Sequence, residues 1–190
     1  MELDKLKFLI TGANGFVGQA LCSELLRQGH QVQAAVRALN PQLDASAQLV
    51  VGAINSQPAW RVALSGMDAV IHLAARVHVM HDTSSNPLDE FRKVNLHSTE
   101  NLARQAAAAG IKRFVYVSSI KVNGEQTTLK AFSESDIANP QDPYGVSKWE
   151  AEQALHRVAA ETGLEVVVVR PPLVYGAGVK GNFISLFKAI

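Results

Sequence analysis

The 190-residue sequence contains a single cysteine, Cys22, and almost balanced charge, with 18 basic against 17 acidic residues. A lone cysteine excludes both an internal disulfide and a cysteine-based zinc site. The sequence also lacks a basic tract and any interleaving of arginine with aromatic residues, which argues against nucleic acid as a partner. These absences favour an ordinary globular protein.

Long apolar runs are missing as well. No stretch approaches the ~20 consecutive apolar residues that a membrane-spanning helix needs, and residues 1–7 lack the apolar region of a signal peptide. We therefore expect a cytoplasmic protein with no membrane partner. The length suits one well-buried domain and is short for two.

The most informative stretch is the apolar run 8–10 and the glycines that follow it in a Gly-x-x-Gly-x-x-Gly spacing. The run predicts a buried strand, and the apolar spacing after it predicts a helix that ends at Gly29. Gly12 permits a tight turn, Gly15 leaves room for a pyrophosphate, and Gly18 lets the helix pack closely on the strand. The free N–H groups of the helix would face the anion. The stretch therefore predicts a dinucleotide site.

The second predicted strand, residues 31–36, is followed by Arg37. In nucleotide-binding folds the residue at the end of this strand meets the adenosine ribose, where an acidic side chain would bond the 2′-hydroxyl and favour NAD. No acid stands here, and Arg37 could hold a 2′-phosphate, so the sequence leans towards NADP. The alternative is that Arg37 is a solvated loop residue.

Strands and helices alternate along the rest of the chain. Apolar segments predict strands at residues 48–51, 68–73, 113–118 and 165–170, and helical patterns occupy residues 58–64, 88–109 and 142–162. Valine-rich strands that alternate with helices predict an α/β fold, a three-layer doubly wound parallel sheet. Ligands of such sheets bind at the carboxyl ends of the strands.

Three sets of polar residues allow more than one interpretation. His72 lies inside an apolar strand and is more typical of a packed core histidine than of a ligand. His78, His81 and Asp82 could form a metal site, but no helix or strand sets their spacing. We expect no metal and interpret their loop as one that covers substrate. Asn95 lies among apolar helix residues, so its amide must either tie the helix to a neighbouring strand or order a water.

Tyr144 and Lys148 are four residues apart on one predicted helix and therefore share a face. Free tyrosine has a pKa of about 10 and is a poor base at neutral pH. A nearby ammonium, together with an oxidised nicotinamide ring, would favour the phenolate. Ser119, at the end of the fifth strand, could hold the substrate oxygen. The three residues predict an acid–base site for hydride transfer.

Taken together, these motifs resemble the extended short-chain dehydrogenase/reductase family, in its branch of nucleotide-sugar epimerases, dehydratases and 4-keto-sugar reductases. The matching segments cover almost the whole chain in the family's order: residues 11–18, residues 68–75, Asn95, Ser118-Ser119 with Gly124, Tyr144-x-x-x-Lys148 and residues 170–176.

The resemblance implies hydride transfer between NAD or NADP and a carbon, usually C4, of a nucleoside-diphosphate sugar in polysaccharide precursor synthesis. It implies the family's Ser/Thr role for Ser119 and the acid–base role for Tyr144, while Lys148 lowers the tyrosine pKa and holds the nicotinamide ribose. The cofactor-binding residues that it implies are Thr11, Gly12, Asn14, Gly15, Phe16, Val17, Gly18, Arg37, Leu73, Ala74, Ala75, Asn95, Tyr144, Lys148 and Pro171.

The sequence departs from the family pattern in three places. Gly52-Ala53-Ile54 replaces the usual Gly-Asp pair that contacts adenine, and Asn123 stands where a tyrosine is usual. Such enzymes also run to roughly twice the length of a single domain. We therefore expect a dinucleotide-binding domain over residues 1–176, while residues 177–190, helical in pattern from Asn182, would begin a substrate domain that is truncated.

Several functions remain open at this level. A 4-epimerase oxidises and then re-reduces one carbon with a retained cofactor, whereas a reductase consumes NADPH, towards which Arg37 leans; a dehydratase is also compatible, as is a homodimer. A different class would be a catalytically silent NAD(P)-binding sensor or scaffold. Such a protein should lack part of the Ser-Tyr-Lys set, which this sequence contains in full.

Overall fold

Parallel strands form the centre of the structure. The computed structural model describes residues 5–54, 60–77, 84, 86–127, 130–176 and 179. The strands are β1 (Lys7–Thr11), β2 (Gln31–Val36), β3 (Ala47–Val50), β4 (Ala69–His72), β5 (Arg113–Val117) and β6 (Glu165–Val169). The helices are α1 (Phe16–Arg27), α2 (Arg61–Leu64), α3 (Pro87–Arg92), α4 (Ser98–Ala108) and α5 (Pro143–Thr162), with a π-helical turn at Lys93–His97 and a 3-10 turn at Ile120–Val122.

The strand order is β3-β2-β1-β4-β5-β6, and every described pair is parallel. The predicted doubly wound sheet is therefore confirmed. β1 lies between β2 and β4, and its last residue, Thr11, is in register with His72 at the end of β4. The chain leaves β1 and β4 in opposite directions at this point, which is where doubly wound sheets bind their ligands.

Helices cover both faces of the sheet and make three layers. On one face, α2, α4 and α5 bury a core that contains Trp60, Leu102, Phe114, Leu155 and Leu9. On the other face, α1 packs Cys22 against β1 and β2. Within the described residues this second face is less covered at β6, where Val167 and Val169 remain 42% and 44% exposed.

The helix predicted over residues 88–109 is interrupted in the structure. α3 ends at Arg92, five residues form the π-helical turn, and α4 resumes at Ser98. The wider turn directs Asn95 into the interior, where it is 1% exposed. Of the helix predicted over residues 58–64, the structure describes Arg61–Leu64, whereas residues 55–59 lie outside the described part, as does the pattern that begins at Asn182.

The glycine turn between β1 and α1 has the tight geometry that the sequence predicts. Gly12 has a φ of +70°, and a Cβ there would lie 2.7 Å from the backbone nitrogen of Ala74. A Cβ on Gly18 would lie 2.3 Å from the carbonyl oxygen of Gly12. Gly12 and Gly18 therefore have the predicted roles of turn and close helix–strand contact.

We expect Gly18→Ala to destabilise the fold, because the added methyl group meets backbone atoms that cannot rotate away. Overpacking of this kind costs ~1–3 kcal/mol, which corresponds to a fall in melting temperature of roughly 2–10 °C for a chain of this size. Ser23→Ala is the control, because it places an alanine at an exposed position of the same helix. Thermal unfolding would contradict the packing argument if Gly18→Ala proved no more destabilising than Ser23→Ala.

Candidate active site

The carboxyl ends of β1, β4 and β5 bring the predicted site residues to one edge of the sheet. α1 begins at Phe16 with Gly15 as its N-cap and no side-chain cap. Asn14 and Gly15 are exposed, and Phe16 and Val17 are 38% and 39% exposed. Gly15 N donates to Gly12 O at 2.9 Å within the turn, so the N–H groups open to an anion are those of the first turn of α1, at Phe16 and Val17.

Thr11 lies behind this turn and not on its surface. Its Oγ1 is 2.6 Å from His72 Nδ1 and accepts a hydrogen bond from Ala74 N at 3.2 Å. His72 Nε2 in turn contacts Thr99 Oγ1 at 2.9 Å. Burial, and secondarily the charge of Lys148, lowers the pKa of His72 to about 3. His72 is thus a neutral core histidine, as predicted, and Thr11 positions the backbone after β4.

The adenosine side of the edge is built from uncharged amides and one arginine. Asn40 Nδ2 donates to Asn14 Oδ1 at 2.9 Å and joins the glycine turn to the loop after β2. Arg37 begins that loop, directly after Val36, and its side chain is exposed. No acidic residue stands at this strand end, which is the feature on which the lean towards NADP depends.

Asn95 joins three segments of the site. Its Oδ1 accepts from Arg76 N at 2.8 Å, and its Nδ2 donates to Arg76 O at 3.0 Å and to Ser147 Oγ at 2.9 Å. Ser147 Oγ donates to Tyr144 O at 2.7 Å. The predicted tie therefore runs from the π-helical turn to the segment after β4 and to α5.

Backbone hydrogen bonds hold two segments of the site in place: the one after β4, which carries Ala74 and Ala75, and the one after β6, which carries Pro171. Leu73 N donates to Thr11 O at 3.2 Å, so Leu73, Ala74 and Ala75, all partly buried, follow β4 along the end of β1. Ile120 N donates to Pro171 O at 3.1 Å. Pro171 therefore lies next to the turn that begins at Ser119.

The structure brings Ser119 and Tyr144 together. A hydrogen bond from Ser119 lowers the pKa of Tyr144, but burial has the larger effect and raises it. Two charges act in addition: the carboxylate of Asp142 raises this pKa and the ammonium of Lys121 lowers it. The edge of the Phe91 ring packs against the Tyr144 ring, with centroids 6.1 Å apart.

Lys148 occupies the next turn of α5 and turns towards the sheet. Its Nζ donates to Val117 O at 2.7 Å and lies 4.1 Å from the centre of the Tyr116 ring. Burial lowers the pKa of Lys148 to about 7, opposed by the carboxylate of Glu152. An ammonium that lowers the pKa of Tyr144 in this arrangement belongs to Lys121, while the predicted role of Lys148 towards Tyr144 stays a prediction.

Sequence reasoning missed an ion pair beside the site. Arg170 donates to Glu152, which is 1% exposed, with a shortest distance of 2.6 Å. Arg170 Nη1 also donates to Asn123 Oδ1 at 3.1 Å, and Asn123 Nδ2 donates to Ser133 O at 2.9 Å. The signal was present, because Glu152 follows Lys148 by one helical turn and shares its face. Asn123, noted only as a departure from the family, closes this chain of contacts.

The residues considered for metal binding, His78, His81 and Asp82, lie outside the described part of the chain. Within the ranges that are described, no group of three His, Cys, Asp or Glu side chains could hold a metal ion. Among those same residues, no helix is long and apolar enough to cross a bilayer.

Comparison with known proteins relates this geometry to characterised relatives. The sequence model of the NAD dependent epimerase/dehydratase family matches residues 8–188. A UDP-glucose 4-epimerase of Vibrio cholerae is 45% identical over 185 residues, which cover 96% of this chain and 56% of that protein. An Escherichia coli O157:H7 4-epimerase of N-acetyl-α-D-glucosaminyl-diphospho-ditrans,octacis-undecaprenol is 29% identical and covers 96% of this chain and 53% of its own length.

Solved structures share the fold. MoeE5, in complex with UDP-glucuronic acid and NAD, superposes with a TM-score of 0.80 at 33% identity, over 95% of this chain and 59% of that one. A UDP-N-acetylglucosamine 4-epimerase from Bacillus cereus gives a TM-score of 0.80 at 25% identity, over 95% and 66%.

The chain spans a little over half the length of the curated relatives described above. The family match nevertheless extends from β1 past β6 and includes the glycine turn, Ser119, Tyr144 and Lys148. The chain therefore belongs to the NAD dependent epimerase/dehydratase family, in agreement with the resemblance of its motifs to extended short-chain dehydrogenases/reductases.

Proposed function

We propose that the protein transfers hydride between a nicotinamide cofactor and C4 of a nucleoside-diphosphate sugar, as a 4-epimerase. The observation that carries the proposal is the packing of the turn that begins at Ser119 against the first turn of α5, which bears Tyr144, so that this pair lies at the carboxyl edge of the sheet, beside the exposed glycine turn. The 45% identity to a UDP-glucose 4-epimerase supports this choice of reaction. A catalytically silent sensor would not need this pair.

The residues of the edge suit a dinucleotide. The N–H groups of the first turn of α1, after Gly15, would bind the pyrophosphate, and the partly buried Ala74 and Ala75 would let the cofactor lie against backbone. A bound nicotinamide would supply the acceptor and donor of hydride. Tyr144 Oη would take the proton of the sugar hydroxyl and later return it, while Ser119 Oγ would hold the same oxygen. Lys148, on the next turn, would bind the nicotinamide ribose.

The absence of an acid at the end of β2 favours a second candidate, a 4-keto-sugar reductase that consumes NADPH. In that case Arg37 would pair with the 2′-phosphate. Among solved relatives, MoeE5 and a UDP-glucuronic acid 4-epimerase from Bacillus cereus are in complex with NAD. They therefore support the epimerase over the reductase. Either enzyme would act in the synthesis of polysaccharide precursors, in the cytoplasm. In both cases the protein would assemble as a homodimer.

Tyr144→Phe tests the acid–base role. Removing the hydroxyl should lower turnover of UDP-glucose by roughly 10²–10⁴-fold, because general acid–base catalysis contributes about that much. The affinity for NADH, measured by calorimetry, should stay within about twofold, since little binding surface is lost. Ser65→Ala is the control for loss of a hydroxyl, because Ser65 is exposed after α2 and lies ahead of β4, at the opposite end of the strands. Unchanged turnover in Tyr144→Phe would contradict the assignment.

Cofactor choice distinguishes the two candidates. The epimerase should bind NADH at least as tightly as NADPH, and Arg37→Gln should change the NADH affinity by less than about twofold, because no 2′-phosphate is present. Arg113→Gln serves as a control for loss of charge, since Arg113 begins β5 at the opposite edge of the sheet. If calorimetry showed tighter binding of NADPH than of NADH, and if Arg37→Gln lost this preference while Arg113→Gln kept it, the reductase would become the proposed function.

The buried ammonium of Lys148 predicts a particular dependence of stability on pH. The unfolded lysine keeps a pKa near 10.5 while the folded one titrates at about 7, so the unfolded chain binds the extra proton between these values. This site therefore adds stability as pH rises from 7 to 10. In Lys148→Met that contribution is absent, and the stability of the variant relative to the natural protein should fall by about 2–4 kcal/mol over the range.

Chemical denaturation at several pH values measures the difference directly. Lys112→Met is the control, because Lys112 is exposed ahead of β5 and its variant should show a difference that does not depend on pH. A flat difference for Lys148→Met would mean that the lysine is charged and solvated in the folded protein, against the burial described here.

A further inference from the structure

A lysine outside the predicted catalytic set, Lys121, lies between the Ser119 segment and the first turn of α5. Its Nζ donates to Asp142 Oδ2 at 2.8 Å and to both carboxylate oxygens of Glu125 at 2.9 Å. The side chains of Lys121 and Asp142 are only 28% and 32% exposed. The ammonium is therefore held by three oxygens in a partly desolvated position.

Both members of the Lys121–Asp142 pair are anchored to the candidate site through the backbone. Lys121 N donates to Ser119 Oγ at 3.2 Å, which begins the 3-10 turn. Asp142 Oδ1 accepts from Gly145 N at 2.6 Å and caps α5, whose second residue is Tyr144. The Lys121–Asp142 ion pair thus links the turn that begins at Ser119 to the N-cap of α5, the helix that carries Tyr144.

The two segments also touch directly. A Cβ on Gly145 would lie 3.0 Å from Lys121 O and 3.2 Å from Asp142 Oδ1. Gly145 is buried, and Asn139 N donates to Val122 O at 2.9 Å on the same side of the turn. The Lys121–Asp142 ion pair therefore lies at a junction where the turn after Ser119 packs against the first turn of α5.

The charges around Tyr144 give Lys121 an electrostatic role as well. Asp142 and Lys121 act on the Tyr144 phenol in opposite senses, the carboxylate raising its pKa and the ammonium lowering it. Lys148 directs its ammonium to Val117 O. Without Lys121, the carboxylate of Asp142 would still raise the pKa of the phenol, and the opposing effect of the Lys121 ammonium would be lost.

Other titratable or charged groups surround the ring more loosely. Tyr116, whose pKa is raised first by burial and next by the charge of Tyr144, lies on β5. The guanidinium of Arg76 lies over Phe91, which packs against the Tyr144 ring. These groups are unchanged by substitution of Lys121.

We propose that Lys121 is a positioning residue that, through Asp142, holds the Ser119 segment against the first turn of α5 and keeps a positive charge beside Tyr144. The inference rests on the proposed acid–base role of Tyr144. It adds to the Ser-Tyr-Lys set a residue that acts through its neighbours and does not touch the reacting atoms.

The test measures the ionisation of Tyr144 without turnover. Tyrosinate absorbance is titrated across the alkaline range with NAD present, and the curve of Tyr144→Phe is subtracted to isolate one of the three tyrosines. Lys121→Gln should raise the pKa of Tyr144 by about 0.5 to 1, the size expected for loss of a partly exposed opposite charge. An unchanged pKa in Lys121→Gln would overturn the proposal.

Two further variants separate charge from loss of folding. Lys121→Arg keeps the charge and the contact with Asp142, so it should restore the pKa to within about 0.3 of the natural value. Asp142→Asn added to Lys121→Gln should also restore it, because asparagine retains the helix cap while the negative charge that raises the pKa of Tyr144 disappears. Failure of both restorations would assign the shift to general distortion and overturn the electrostatic part of the proposal.

Turnover then tests positioning. Lys121→Gln should lower kcat by about tenfold, as expected for a small misplacement of catalytic groups. It should also move the acidic limb of the pH profile of kcat to higher pH. Lys130→Gln removes an equivalent ammonium, which pairs with Asp136 at 2.9 Å elsewhere in the loop, and should leave both readouts unchanged. Equal effects of the two variants would overturn the proposal. If Tyr144→Phe retains turnover, the proposed function fails, yet the absorbance titration still decides whether Lys121 acts on Tyr144.

Discussion

The buried polar face of α5 is the constraint on which the rest of the site depends. Ser147, Lys148 and Glu152 are each at most 1% exposed, and buried polar groups must be paired or they cost stability. Their partners come from three other segments: the π-helical turn supplies Asn95, β5 supplies Val117 O, and the chain after β6 supplies Arg170. Tyr144 takes its position from a helix that these contacts hold in one orientation.

Most of the fold follows from local signals in the sequence. Valine-rich strands, the glycine turn and the helical pattern over residues 142–162 predict the order of elements and the parallel sheet, and the structure confirms them. The π-helical turn at Lys93–His97 could not be predicted in this way. A single widened turn preserves the apolar spacing on either side of it, so periodicity alone extends one helix through the interruption.

The sequence predicted which residues form the candidate site, but it did not predict which groups their side chains contact. Helical spacing places Tyr144 and Lys148 on one face, yet it does not say where a long flexible side chain directs its ammonium. In the structure that ammonium is taken by Val117 O and the Tyr116 ring. Lys121 belongs to a different segment and meets Tyr144 only through the tertiary fold, so no local pattern could have identified it.

The two halves of the sheet edge are built from different chemistry. The nucleotide half relies on backbone N–H groups and on the uncharged bridge between Asn14 and Asn40. The half around Tyr144 concentrates charge, with Lys121 paired to Asp142 and Glu152 paired to Arg170. Backbone and amide contacts do not titrate near neutral pH, whereas the ionisation of a phenol responds to every charge close to it. Substitutions in the first half should therefore alter cofactor affinity at all pH values alike, and only those in the second half should reshape the dependence of the reaction on pH.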